Sequence, residues 1–171
     1  MIPKIQGTGD VQRKQFACAV DVSDTGTPSY LVLGYRITSS QLELNPSVDS
    51  GTDINGRNFG SVDKFEPKQT FDPHRLTAGQ NGALAEKLIE YFRTNQLSQF
   101  SQFKCILIYG FLGTEGAYQA DLYDSCTITP NGVGGENWTE MPFEVIFGGN
   151  VQRGTTDKLI DTVVFTPTIT P

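Results

Sequence analysis

The sequence is short of cysteine, histidine, charge and long apolar runs, and each shortage excludes something. Three cysteines in 171 residues are too few, and odd in number, for a disulfide framework. Cys18, Cys105 and Cys126 each lie in an apolar stretch and no two form a CxxC pair. They read as free buried thiols acting as small hydrophobes, which fits a reducing compartment. The one histidine, His74, follows Pro73. A Ser–His–Asp or Cys–His system would have to use it, yet no serine or cysteine is placed beside it, so it reads as an exposed loop residue. No apolar run approaches the ~20 residues of a membrane span. Met1 to Gly9 lacks the apolar core of a secretory signal. There is no P-loop, GxGxxG, HxH or HExxH pattern. Asp49, Asp53 and Asn55 have the look of a calcium loop, but its closing position, counted from Asp49, is Gly60 and not glutamate. No metal, cofactor or catalytic role is expected.

What is present points to β structure. Thirteen basic and 19 acidic residues give a net charge of −6, the wrong sign for gripping nucleic-acid phosphates. Charged residues are 19% of the chain, below the roughly 25% of ordinary soluble domains. Glycine (18), proline (9) and phenylalanine (11) are plentiful, as in a chain of strands and turns. The length suits one domain over residues 1–171.

Periodicity then places the elements. Residues 1–14 are polar and aperiodic and read as an N-terminal arm. Phe16, Cys18, Val20 and Val22 alternate as in a strand. Asp24 to Pro28 is a turn, and Leu31, Leu33, Tyr35 and Ile37 form the hairpin partner, with extended chain continuing through Leu42 and Leu44. Residues 45–58 (NPSVDSGTDINGRN) hold only two aliphatic side chains, Val48 and Ile54. The segment reads as an extended loop, since connections this long tend to be functional, or as a hairpin with a mobile tip. Phe59 to Phe71 reads as an edge strand because of Pro67. Leu84, Leu88 and Tyr91 repeat at helical spacing, giving an amphipathic helix near 81–95 capped by Asn81 or Thr77. Phe103 to Leu112 is a central strand. Tyr118 to Ile128, Met141 to Phe147 and Leu159 to Phe165 are further strands, separated by turns at 131–136 and 147–154. Residues 167–171 read as a flexible tail.

Three stretches carry a resemblance: LELNPSVDSGTDINGRNFGSVDKFEPKQTFDP (42–73), ALAEKLIEYFRTNQ (83–96) and GGENWTEMPFEVIFGGNVQRGTTD (134–157). In content and order they are similar to the tail tube (major tail) proteins of tailed bacteriophages, and more distantly to tubes of other contractile injection systems. The resemblance spans roughly residues 30–165. It implies a mainly β fold, two antiparallel sheets packed as a sandwich or half-barrel with one flanking α-helix. It implies a structural subunit and not an enzyme: six copies close into a ring, and rings stack into a conduit for genome delivery. The implied partners are the chain itself, baseplate or tail-tip and tail terminator proteins, and tape measure protein and DNA held loosely in the lumen. The implied location is the virion tail, after assembly in the host bacterial cytoplasm. The long loop would reach the adjacent ring through Val48, Asp49, Asp53, Ile54 and Arg57. Glu43, Asp63, Glu66, Glu140 and Glu144 alternate with apolar residues and are the candidate lumen-facing acids, since like charge keeps DNA from adhering. A competing reading is a β-sandwich module binding a ligand or carbohydrate, with Trp138 and Tyr30 as stacking aromatics.

Overall fold

A computed structural model describes residues 5, 9–24 and 26–168. The expected N-terminal arm lies outside the described residues at positions 1–4 and 6–8, and the expected tail at 169–171. Among the described residues the fold is mainly β, antiparallel, with a single α-helix. Twelve strands occur in chain order: β1 (Phe16–Asp21), β2 (Tyr30–Leu33), β3 (Ser40–Glu43), β4 (Pro46–Thr52), β5 (Asn58–Phe65), β6 (Lys68–Arg75), β7 (Phe103–Thr114), β8 (Ala117–Pro130), β9 (Glu140–Ile146), β10 (Val151–Thr156), β11 (Thr162–Val163) and β12 (Phe165–Pro167). The helix α1 (Ala83–Arg93) lies between β6 and β7.

The long strand β8 belongs to two sheets. Its first half pairs with β7 and β10. Its last residues, Thr127 to Pro130, pair with β9, and β6 and β3 follow outward from β9. From β7 the other sheet runs through β1 and β2 to β11. Only Val164 separates β11 from β12, and β12 pairs with β10. One stretch of chain thus joins β2 to β10 and closes that sheet into a small barrel, which removes its edges. The barrel interior is filled by Ala17, Ala19, Tyr30, Ile106, Ile108, Ala120 and Val163. Small residues are required where the wall curves tightly. A Cβ on Gly110 would stand 2.7 Å from the Leu159 side chain, and one on Gly154 would stand 2.6 Å from the Phe165 ring.

The second core lies between the barrel's outer wall and the β9–β6–β3 sheet. Period-two alternation sends Cys18, Val20, Cys105 and Leu107 to this side while their neighbours face the barrel. Ile128, Met141, Phe143, Val145 and Phe71 meet them, and the Phe71 and Phe143 rings stack at 4.8 Å. Helix α1 closes one end of this sandwich with Leu84, Ala85 and Leu88. The two leucines contribute about 1.5–3 kcal/mol each on burial. All three cysteines are buried and free, and burial pushes the Cys18 thiol up.

Several expectations are corrected here. Of the two readings of residues 45–58, the hairpin is the one found: 46–52 and 58–65 pair as β4–β5, with seven cross-strand partners. The segment 59–71 is not one strand: it breaks at Glu66–Pro67 into β5 and β6, which belong to different sheets. The strand after the first turn stops at Leu33, because Gly34 and Arg36 take positive φ. Neither Asn81 nor Thr77 caps α1; a 3-10 turn over Gln80–Gly82 leads in, and Gly82 occupies the cap position. Within 147–154, expected to be turn, β10 begins at Val151. Pro167, expected in a loose tail, pairs with Gly154. His74 is buried in β6, its Nδ1 3.0 Å from the Tyr35 carbonyl oxygen.

Candidate functional site

Two surfaces stand out, and both lie on the β3–β6–β9 side of the molecule. The first is the four-stranded sheet formed by β3, β6, β9 and the end of β8. Among the described residues, β3 is paired only with β6 and residues 127–130 only with β9. The sheet therefore ends on both sides in strands that no further strand pairs, a template for adding strands from another chain, although the Ser40 carbonyl in β3 accepts a hydrogen bond from Arg13 at 3.3 Å and Thr127 donates one to Ser101 Oγ at 3.1 Å. The second is the β4–β5 hairpin, which pairs with no other strand and forms a two-stranded sheet of its own.

The outward face of the four-stranded sheet is polar. Register places Glu43 beside Lys68, and Thr70 beside Glu144. Lys68 Nζ lies 3.6 Å from Glu144 Oε2 and 4.0 Å from Glu43 Oε2. Glu140 stands opposite Arg75, whose guanidinium lies 4.2 Å from the centre of the Trp138 ring. The structure thus gathers three of the five candidate acids, Glu43, Glu140 and Glu144, on one face. Lys68 and Arg75, which the sequence reading did not single out, are interspersed among them. Asp63 and Glu66 are elsewhere. Asp63 lies in β5 beside the register shift of the hairpin, and Glu66 lies in the β5–β6 connection, 2.6 Å from Lys64 Nζ. The exposed Lys64–Glu66 pair adds little stability on its own.

The hairpin is exposed along both strands. Val48 pairs with Val62, and Phe59 packs over Gly51. Val48, Phe59, Val62 and Phe65 are each more than half exposed, and Ile54 at the tip is wholly so. The phenylalanines and Val62 were missed as contact residues; they stand three residues apart along β5, a spacing that carries no strand signal. Asp53 Oδ1 accepts hydrogen bonds from the Asn55 and Arg57 backbone N–H groups at 2.8 and 2.9 Å. That carboxylate builds the tip. Asp49 stands opposite Ser61 on β4.

No group of three or more histidine, cysteine or acidic side chains is arranged to hold a metal among the described residues. No helix among them is long and apolar enough to cross a membrane. Of the two aromatics considered for stacking a sugar, Tyr30 is buried in the barrel, whereas Trp138 is exposed beneath Arg75. On the barrel wall, burial raises the Asp121 carboxyl, opposed by the charge of Arg153 and a hydrogen bond from Tyr109. Asp124 is held below the usual carboxylate range by hydrogen bonds from Asn150, at 2.7 Å from its backbone and 3.0 Å from its side chain.

No protein-family profile matches the chain, and no curated protein does. Among solved structures it is similar to the tube-terminating cap of the anti-feeding prophage, at 16% identity and a TM-score of 0.49, over 89% of this chain and 95% of that one. It is also similar to the sheath/tube terminator of an extracellular contractile injection system, PVC, at 12% identity and a TM-score of 0.49, over 85% and 97%. A chain of the PVC sheath–tube complex gives 11% identity and a TM-score of 0.49, over 85% and 92%.

Proposed function

We propose that the chain is a structural subunit of a phage-type tail tube, and that catalysis has no part in its role. One observation carries this reading: a four-stranded sheet that ends on both sides in strands no further strand pairs, with a polar outward face. Such a sheet becomes edge-free when β3 of one copy joins residues 127–130 of the next around a ring. The resemblance supplies the ring size of six and the stacking of rings into a genome conduit. The polar face then lines the bore. Its three carboxylates and two cations make that wall weakly acidic, and hydroxyls such as Thr70 and Thr129 fill the rest. DNA and a tape measure protein would slide along it without tight binding.

The β4–β5 hairpin is the inter-ring arm in this reading. A two-stranded ribbon is marginal alone in water, and its exposed valines, phenylalanines and Ile54 call for a partner surface. Baseplate or tip proteins and a terminator would cap the two ends of the tube, and the assembled particle would be a virion tail built in the host cytoplasm.

The test is mass photometry and negative-stain microscopy of the purified protein across a concentration series. Rings that stack into hollow tubes are expected. Monomers at every concentration would overturn the reading. A small closed oligomer without tubes would favour a binding module centred on Trp138.

A further inference from the structure

We infer that the β4–β5 arm of one copy lays its apolar face into the groove beside helix α1 of the next copy along the stack. The inference rests on the tube reading above and names the surface that receives the arm.

The arm has two unlike faces. Residues two apart on a strand share a face, and so do cross-strand partners. Pro46 and Val48 therefore point the same way, and their partners Phe65 and Val62 point with them. Phe65 and Val62 are three apart, and unbroken alternation would put them on opposite faces. The register shift beside Val48 leaves Asp63 as an extra residue in β5 and brings the two to one side. Further out, Ser50 with Gly60 and Thr52 with Asn58 continue that face. It carries no charge along its length. Asp49 and Lys64 belong to the other face, opposite Ser61 and Ser47. Val48, Val62 and Phe65 are each more than half exposed.

The groove is the other unpartnered apolar surface. It measures about 270 Å³ and runs between α1 and the chain that follows β8. The side chains lining it are Leu88, Ile89, Phe92, Pro130, Val133 and Met141, and none is charged. Leu88 and Met141 are buried and form its floor, whereas Phe92 is 76% and Val133 59% exposed. An aromatic ring standing mostly in water beside an apolar floor marks a contact surface. Two copies that each carry a net charge of −6 approach at least cost where neither side presents charge, and interface cores are depleted of it for that reason.

Position makes the arm the occupant. The arm leaves the four-stranded sheet after Glu43 and returns at Lys68, the end where Lys68 faces Ile146. Met141, in the groove, faces His74 at the other end of the same sheet, six residues or about 20 Å along β6. Arm and groove thus lie at opposite ends of one subunit. Subunits stacked end to end bring the foot of one arm, Pro46 and Phe65, to the groove of the next. The two surfaces differ, so the contact is head-to-tail and repeats without closing, as a stack of rings requires.

The experiment replaces Phe65 or Phe92 of the full chain with the photo-crosslinking residue benzoylphenylalanine. Assembled protein is irradiated and crosslinks are mapped by mass spectrometry. Position 65 is expected to reach residues 88–93 or 130–133 of another copy, and position 92 to reach residues 46–48 or 62–65. Tubes in which either position crosslinks elsewhere, or not at all, overturn this inference and leave the tube reading standing. Rings that never stack overturn the inference and leave the ring alone standing, and monomers at every concentration remove both. Phe92→Asp and Val62→Asp should each leave the melting temperature of the subunit and its rings unchanged while raising the concentration needed for tubes at least tenfold. The double variant should be no worse than either, because the second substitution falls on a contact already lost. Losses that add would place the two residues in separate contacts and overturn the docking. A lower melting temperature with unchanged tubes would show that these side chains serve their own chain, and would overturn it as well.

Discussion

The β4–β5 and β7–β8 hairpins have the same connectivity and opposite surroundings. In β7 the alternation is apolar on both faces, one set of side chains entering the barrel and the other the sandwich. In β4–β5 both strands are exposed almost throughout among the described residues. The hydrogen-bond ladder is similar in kind, so the difference in stability lies in the side chains it presents. A sheet in water is held by what packs on it more than by its own pairing. The protein thus has one hairpin that stabilises the subunit and one that contributes almost nothing until something else covers it.

Deleting residues 47–64 and joining the ends with a short glycine linker tests this most severely. The subunit should keep its melting temperature and lose tube formation altogether in electron micrographs. A variant that unfolds would show that the arm supports its own chain, and one that builds long tubes would remove the arm from assembly. Ile106→Ala, in β7, should cost about 2–5 kcal/mol in denaturant unfolding, the usual range for emptying a packed site. Val62→Thr, in β5, should change stability by less than about 0.5 kcal/mol, as for an exposed position. Equal losses at the two sites would erase the comparison. Hydrogen exchange should separate the hairpins in the same order, with β4–β5 amides exchanging fast in the free subunit and slowly in the tube. The smallest effect concerns Asp124, whose depressed carboxyl ties β8 to the Gly148–Asn150 turn. Its contribution is present above the ordinary carboxylate range and disappears as pH falls through the depressed value. Asp124→Ala should therefore lower the melting temperature slightly at neutral pH and not at all once the wild-type carboxyl is protonated.

The same contrast explains what could be read from the sequence. β1 and β9 were legible because burial imposes period two on them, β7 because both its faces are buried and its residues run apolar almost throughout, and α1 because its stripe packs on the sandwich. β10 (VQRGTT) was not, since its fit depends on Gly154 passing under Phe165, a requirement that leaves no apolar pattern. The arm read as loop for the related reason that nothing packs on it to select apolar residues at alternate positions. His74 was misplaced because Pro73 signals a turn, whereas here the chain bulges between Phe71 and His74 and stays in the sheet. Among site residues, Glu43, Glu140 and Glu144 fell on one face because strand parity is local. Lys68 was missed because its role depends on a neighbouring strand's register. The edges of the four-stranded sheet are a property of three-dimensional arrangement with no counterpart in local pattern.

The single residue between β11 and β12 also governs when the subunit becomes safe to leave alone. The barrel seam closes where Val163 meets Tyr30, so it brings together segments made early and late in synthesis. Contacts of such long sequence separation form slowly. Until they form, β2 and β10 are bare edges and the Ile106–Ile108 face is open to solvent, the conditions under which nascent β proteins stick to one another. The seam is in effect a zip fastened last. A substitution such as Val163→Asp would reveal itself first as aggregation in the producing cell, before any purified subunit could be assayed for rings.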